Sequence, residues 1–366
     1  MQQPLSGLPA GRAVIFNGPG RPFEQVKREL PDLKPGEILV LVLHTTLCGS
    51  DLHTYCGKRQ EPPHVVLGHE IVGEILFIDP AHTGKDMNGV TLNVGDRITW
   101  SIFSAPSNVS APRPDIPQKS EGLFKYGHVL AHGNEVFNGG LADYCILLEN
   151  TAVIKISDGL PVAVAATISC AHATVMGALR VAGEISNKKV LIFGAGMLGL
   201  SCVAMCKEAG ASSIVLIDRE ESRLTWGEKF GADQTYLTTY INNQFIKEST
   251  GEADLVFDMT GNRSVMETGL DCLSVGGIAV WIGAVYPEHP VAVDAQQIVR
   301  KILQIRGLHN YNYEDFIRAT AFIEEHYQKY PFEALVEKTF MMEDIEEAFR
   351  YALNEKPARV GIHVND

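Results

Sequence analysis

A chain of 366 residues is longer than one ordinary hydrophobic core organises, so it predicts two domains. With 45% hydrophobic and 20% charged residues it has the make-up of a soluble globular protein. A net charge of −13, with no block of Lys and Arg, excludes a nucleic-acid partner held by general electrostatic attraction.

The opening residues Met1 to Gly7 lack the basic start and apolar run of a secretion signal. Up to about residue 150, short β-patterned runs alternate with turn residues. Glu37–Leu43, Val65–Leu67, Ile71–Ile78 and Ala152–Ile156 are predicted strands, with tight turns at Gly95-Asp96-Arg97 and Asn138-Gly139-Gly140. Residues 105–121 form a Pro- and Ser-rich loop, longer than most connections. From Val162 to Val181 an Ala-rich helix is predicted, and then strands and helices alternate. Val190–Phe193, Ile214–Asp218, Leu255–Met259 and Ile278–Ile282 read as buried parallel strands, so this half is predicted to be a doubly wound α/β sheet. Glu314–Tyr327 and Glu343–Asn354 return to helix before a last strand at Arg359–Val364. The longest apolar stretch, Val190–Cys206, is interrupted by Gly194, Gly196 and Gly199 and is shorter than a membrane span. Seven scattered cysteines are an odd set rather than a disulfide framework, and reduced thiols in a cytoplasm are expected.

Val190–Phe193 runs into Gly194-Ala195-Gly196-Met197-Leu198-Gly199, a G-x-G-x-x-G between a strand and a helix. In that setting the glycines permit a tight turn, close approach of a pyrophosphate and close helix–strand packing. The pyrophosphate lies on the helix N-terminus, where free N–H groups and the helix dipole favour an anion. Asp218 ends the next strand 19 residues after Gly199. An acid there accepts from the ribose hydroxyls and repels a 2′-phosphate, so NAD is expected over NADP. Arg219 pulls the other way, because an arginine at this point is able to meet a 2′-phosphate. Arg223 has two readings, a contact to the adenosine ribose and a solvated helix charge.

Cys48-Gly49-Ser50-Asp51-Leu52-His53 and Gly68-His69-Glu70 both follow β-type runs ahead of the nucleotide half. Cys48 and His69 offer a thiolate and an imidazole, the donors zinc prefers. A catalytic zinc takes three protein ligands and keeps one position open, and Cys170 is the best remaining candidate for the third. On chemistry alone Cys170 reads equally well as a small buried hydrophobe.

Taken in order, C-G-S-D-L-H, G-H-E-x-x-G (Gly68 to Gly73), G-D-R, G-G-L-A-D-Y (Gly139 to Tyr144), the Cys170 segment and G-A-G-M-L-G resemble the zinc-dependent medium-chain alcohol dehydrogenases along essentially the whole chain. The resemblance implies a GroES-like β-rich catalytic domain at residues 1–160 and 308–366 and an NAD-binding Rossmann domain at 161–307. It implies a hydride transfer between a small alcohol or aldehyde and NAD. Cys48, His69 and Cys170 match the catalytic zinc ligands, and Glu70 an acid beside the zinc that enters its coordination during ligand exchange. Ser50 matches the hydroxyl on the substrate oxygen and His53 the distal base of a proton relay through the nicotinamide ribose. Asp51 resembles a carboxylate that orients a histidine ligand, Thr174 a residue packed on the nicotinamide, and Arg359 an arginine that reaches the pyrophosphate. Gly194, Gly196, Met197, Leu198, Gly199, Asp218 and Arg223 complete the expected cofactor contacts. The resemblance also implies a homodimer or homotetramer.

Relatives often carry four closely spaced cysteines for a structural zinc. Here Pro106, Val109, Pro112 and Ser120 stand at those spacings, so one ion per chain is expected. Trp100 to Phe103, Pro117-Gln118-Lys119 and Leu123 to His128 are similar to a subgroup associated with phosphonate catabolism. That implies a phosphonate-bearing substrate, with Lys58, Arg59, Lys119, Lys125 and His128 as its candidate anion partners. Within the superfamily the alternatives are a polyol, sugar or amino-acid dehydrogenase. Outside it, the alternative is a non-catalytic NAD-binding protein.

Overall fold

The computed structural model describes residues 7–106, 115–133, 135–238, 243–285 and 290–366. It divides into two compact units, Met1–Cys170 with Asn312–Tyr327 and Phe332–Asp366, and Ala171–Tyr311 with Gln328–Pro331. The resemblance puts the crossings after residues 160 and 307; the contacts put them after Cys170 and Tyr311. The later first crossing has a local cause. Helix Val162–Thr167 packs on strands Ile38–Leu47 and Glu70–Ile78 and so joins the first unit.

The first unit is the β-rich, GroES-like one. Its main sheet runs Val336–Met341, Arg359–His363, Ile38–Leu47, Glu70–Ile78, Arg97–Ser104 and Phe124–Lys125. Tyr144–Leu147 pairs on Ile38–Leu47, and Thr151–Lys155 on Arg97–Ser104. A smaller sheet joins Glu24–Arg28, Gly11–Phe16 and Val65–Val66. The C-terminal strand brings a distant arginine to the ligand segment. Val360 pairs with Leu47, so Arg359 arrives beside the end of the strand that leads into Cys48. Trp100, Tyr126, Phe349 and Phe16 lie in this unit's core, each no more than 2% exposed. Full burial of such side chains is worth about 1.5–3 kcal/mol apiece.

The second unit is a six-stranded parallel sheet. In space it runs Gln234–Leu237, Ser213–Asp218, Lys189–Phe193, Ala253–Asp258, Leu273–Trp281, Gln304–Gly307. Counted along the chain this is the order 3-2-1-4-5-6, the doubly wound nucleotide-binding topology. The four strands expected from apolar runs are all present. Among the described residues one helical stretch, Val162–Ala182, is long and apolar enough to cross a membrane, and 83% of its most apolar window is buried inside the protein. Burial of that extent marks a core helix.

Candidate metal centre and cofactor-binding turn

Cys48 is the residue before helix Gly49–Tyr55, in extended conformation. The Asp51 carboxylate closes a capping box there: its Oδ2 accepts from the Cys48 backbone N–H at 2.9 Å. Its other oxygen, Oδ1, lies 3.3 Å from Nδ1 of His69. One fully buried carboxylate therefore holds the backbone of Cys48 and the ring of His69 together. Committing Nδ1 to Asp51 leaves Nε2 as the ligating nitrogen, as carboxylate–histidine pairs at metal sites do. Nε2 in turn lies 3.3 Å from the Ser50 hydroxyl.

Cys170 comes from a different kind of element. Ile168–His172 is a π-helical turn between two α-helical segments, a widening that frequently marks functional positions. The neighbouring Ser169 hydroxyl donates to the His69 carbonyl at 3.3 Å, tying this turn to the other ligand segment. The ligand atoms of Cys48, His69 and Cys170 all lie within 4.8 Å of one another. Donors around a tetrahedral zinc, at about 2.3 Å for sulfur and 2.0–2.1 Å for nitrogen, stand roughly 3.5–3.8 Å apart. The donor set and its spacing fit that ion.

The electrostatics fit as well. A hydrogen bond from the Cys170 thiol holds Cys48 well below the usual thiol range, with Arg359 and His69 adding to it. Burial disfavours a charge on His69, yet Asp51 and the Cys48 sulfur overcome it and raise the ring to about 10. Such a site attracts positive charge strongly.

Glu70 is fully buried behind the ligands. Arg359 donates to its Oε1 at 2.8 Å, and Thr46, paired with Glu70 across the sheet, donates its hydroxyl to Oε2. Burial pushes Glu70 up to about 7, against the pull of Arg359. His53 is half-buried, and burial, with Lys58 and Arg59 nearby, lowers its pKa. Thr46 was not legible as a site residue, because its pairing with Glu70 depends on strand register. Glu61 was also missed. It lies between Arg59, at 2.8 Å, and His128, at 3.2 Å, and its only sequence signal was an acid two residues after an arginine.

In the other unit, Gly194 takes a left-handed φ of +100° at the end of strand Lys189–Phe193. A Cβ on Gly199 would lie 1.7 Å from the Gly194 carbonyl oxygen, so only glycine fits. A Cβ on Gly196 would meet nothing within 4 Å. The open space beside Gly196, at the head of helix Met197–Glu208, is a cradle suited to a pyrophosphate. Asp218 accepts from the Ala195 N–H at 2.6 Å and the Glu220 N–H at 2.8 Å, which fixes its carboxylate beside this turn. Thr174 is buried in helix Ala173–Ala182, and Arg223 lies in the short helix Glu221–Leu224. Of the lobe positions, Ser120 is buried and follows the 3-10 turn Pro117–Lys119, while Val109 and Pro112 lie outside the described residues.

Residues 34–158 match the model of the alcohol dehydrogenase GroES-like domain, and residues 198–325 that of the zinc-binding dehydrogenases. The chain belongs to the zinc-binding alcohol dehydrogenase family. It is a zinc-containing, NAD(P)-dependent dehydrogenase, with Cys48, His69 and Cys170 as the zinc site. The dehydrogenase is 27% identical to an L-threonine 3-dehydrogenase of Coxiella burnetii over 346 residues, covering 90% of this chain and 93% of that one. It is 29% identical to the L-threonine 3-dehydrogenase of Pyrococcus horikoshii over 314 residues, 81% of this chain and 82% of the other. In fold it is similar to an alcohol dehydrogenase of Thermotoga maritima, with a TM-score of 0.91 at 24% identity over 98% of this chain and 100% of that one.

Proposed function

We propose that the dehydrogenase transfers a hydride between NAD and a small alcohol or its carbonyl partner, in the cytoplasm, with one zinc per chain. The observation that carries this reading is the Ser50 hydroxyl 3.3 Å from the ligating nitrogen of His69, in a site of two thiols and one imidazole. Zinc held there supplies Lewis acidity, worth roughly 11 kcal/mol on a hydroxyl if it lowers the pKa by about 8 units. Ser50 hydrogen-bonds the reacting oxygen and passes its proton to His53. That hydrogen bond contributes about 1.5–3 kcal/mol, so Ser50 and His53 move the proton rather than create the acidity. Asp51 keeps the His69 ring in the ligating tautomer, and Glu70 stands ready to assist ligand exchange.

His53→Ala is expected to slow alcohol oxidation by about tenfold or more near pH 6, with the loss shrinking towards pH 9, where solvent base replaces the imidazole. The lowered pKa of His53 keeps the neutral, proton-accepting ring in place further into acid. A loss independent of pH contradicts the relay.

Asp218 supports NAD as the cofactor, with Gly194, Gly196, Met197, Leu198 and Gly199 cradling the pyrophosphate and Thr174 and Arg223 as further contacts in the same unit. Asp218→Gly is expected to raise the NADP-to-NAD ratio of kcat/KM at least about tenfold, because the carboxylate no longer repels a 2′-phosphate. No shift in that ratio removes the ribose contact from the proposal. The substrate we favour is a phosphonate-bearing alcohol or aldehyde. A second reading, an amino-acid alcohol, is favoured by the names of the threonine-dehydrogenase relatives. Zinc-loaded protein assayed with NAD against hydroxyalkylphosphonates, L-threonine, polyols and simple alcohols separates the two.

A further inference from the structure

Of the five candidate anion partners, Lys58, Arg59, Lys119, Lys125 and His128, the structure half-buries some and exposes others. Lys58 and Lys119 are exposed. Arg59, Lys125 and His128 are drawn in. Two independent tethers do this. Helix Gly49–Tyr55 starts at the ligand Cys48, and just past its end the Arg59 backbone N–H donates back to the His53 carbonyl at 3.1 Å. On the other side Gly127 lies so close to Gly68 and His69 that an added Cβ would come within 2.7 Å of the Gly68 carbonyl and 3.3 Å of the His69 Cβ. That approach lays residues 125–128 against the ligand segment, and the His128 and His69 rings stand 5.0 Å apart.

Glu61 joins the two sides. Its Oε1 is 2.8 Å from Arg59 and 3.2 Å from Nδ1 of His128, with the three side chains between 7% and 21% exposed. A guanidinium held through one edge by a carboxylate keeps further N–H donors for a second anion, because it carries five in a fixed fork. Lys125 lies within electrostatic reach of both this pair and the Cys170 sulfur. Burial and the like charges of Arg59 and Lys119 push its ammonium down to about 8, while Cys170 and Glu61 attract it. Arg59, with donors to spare beyond Glu61, and the ammonium of Lys125 thus carry positive charge at a partly desolvated place, where an anion gains most from it.

We propose that Arg59 and Lys125 form an oxyanion subsite beside the zinc, which selects alcohols carrying a phosphonate or carboxylate group, and that Glu61 is the positioning residue that aims Arg59. The subsite rests on the metal-dependent dehydrogenase reading of the centre. It narrows the substrate to an anionic one and names the residues that discriminate.

The test uses zinc-loaded full-length protein and two readouts. In the first, kcat/KM is compared for 2-hydroxyethylphosphonate, 3-hydroxypropionate and 1-propanol. The parent is expected to favour at least one anionic substrate over 1-propanol about a hundredfold, and which of the two it is separates phosphonate from carboxylate. Arg59→Gln and Lys125→Gln are each expected to cut that preference at least about tenfold, the effect of one charge-assisted hydrogen bond. Glu61→Gln is expected to cut it less, and mainly through KM for the anionic substrate. In the second readout, methylphosphonate and acetate are titrated calorimetrically into each protein. Binding of one of them to the parent, weakened at least tenfold in Arg59→Gln at unchanged zinc content, supports the subsite whatever the turnover. Equal turnover of charged and neutral substrates, or no binding of either anion to the parent, overturns it. Failure to turn over any alcohol while anion binding persists counts against the proposed function alone.

Discussion

Cys48→Ala is expected to leave well under one zinc per chain and to lower kcat/KM by at least about 10⁴-fold, with His69→Ala giving the same result. The size follows from comparing the two contributions at the centre. With the ion lost, the hydrogen bond from Ser50 remains, at about 1.5–3 kcal/mol, against roughly 11 kcal/mol of acidity that leaves with the zinc. A 10⁴-fold loss corresponds to about 5.5 kcal/mol, comfortably inside that difference. The two substitutions differ in their side effects, which makes the pair informative. Cys48 sits at the helix cap, but the Asp51 capping bond is to its backbone and survives in alanine. In His69→Ala the fully buried Asp51 loses the ring 3.3 Å away, so that variant is also expected to melt at a lower temperature. Zinc content by atomic spectrometry and initial rates with NAD decide the matter. A metal-free Cys48→Ala protein that turns over at the parent's rate removes the metal from the reaction altogether.

How much of the fold and the site is readable from sequence depends on whether a feature is local. Buried parallel strands announce themselves as unbroken apolar runs, and Lys189–Phe193, Ser213–Asp218 and Ala253–Asp258 are buried along nearly their whole length. The two edge strands of the same sheet, Gln234–Leu237 and Gln304–Gly307, are half-buried or exposed at every position, and no apolar run betrayed them. The same distinction holds at the centre. Cys48, Ser50 and Asp51 belong to one capped helix start, a local motif. The third ligand, Cys170, did not follow from spacing, because what aims it is a π-helical turn within an apparently ordinary Ala-rich helix. Thr46, Glu70 and Arg359 come together through strand register between segments up to 289 residues apart, and Glu61 meets His128 only because Gly127 packs on Gly68. Neither arrangement leaves a periodicity.

The Glu70–Arg359 pair carries the second large effect. Arg359→Met removes the guanidinium from a place 6% exposed and leaves the Glu70 carboxylate fully buried, with Thr46 as its remaining hydrogen-bond donor. Removing one partner of a buried ion pair costs about 3–5 kcal/mol. The pH dependence gives the prediction its sign. Burial already lifts Glu70 to about 7, above the value of about 4.3 for an unfolded glutamate. Between those limits the native state holds a proton that the unfolded state has released, so this group's contribution is greatest in acid and fades as pH rises towards 7. Without Arg359 the native pKa climbs further, and the fading continues past pH 7 in the variant where it has levelled off in the parent. The melting temperature of Arg359→Met is therefore expected to keep falling between about pH 7 and 9, and the double variant Arg359→Met/Glu70→Gln to lose that slope and recover most of the stability. Such a result makes Arg359 a support of the buried acid behind the zinc ligands. An unchanged melting temperature with a raised KM for NAD assigns it instead to the cofactor alone, and the ion pair at 2.8 Å then contributes nothing to holding the centre together.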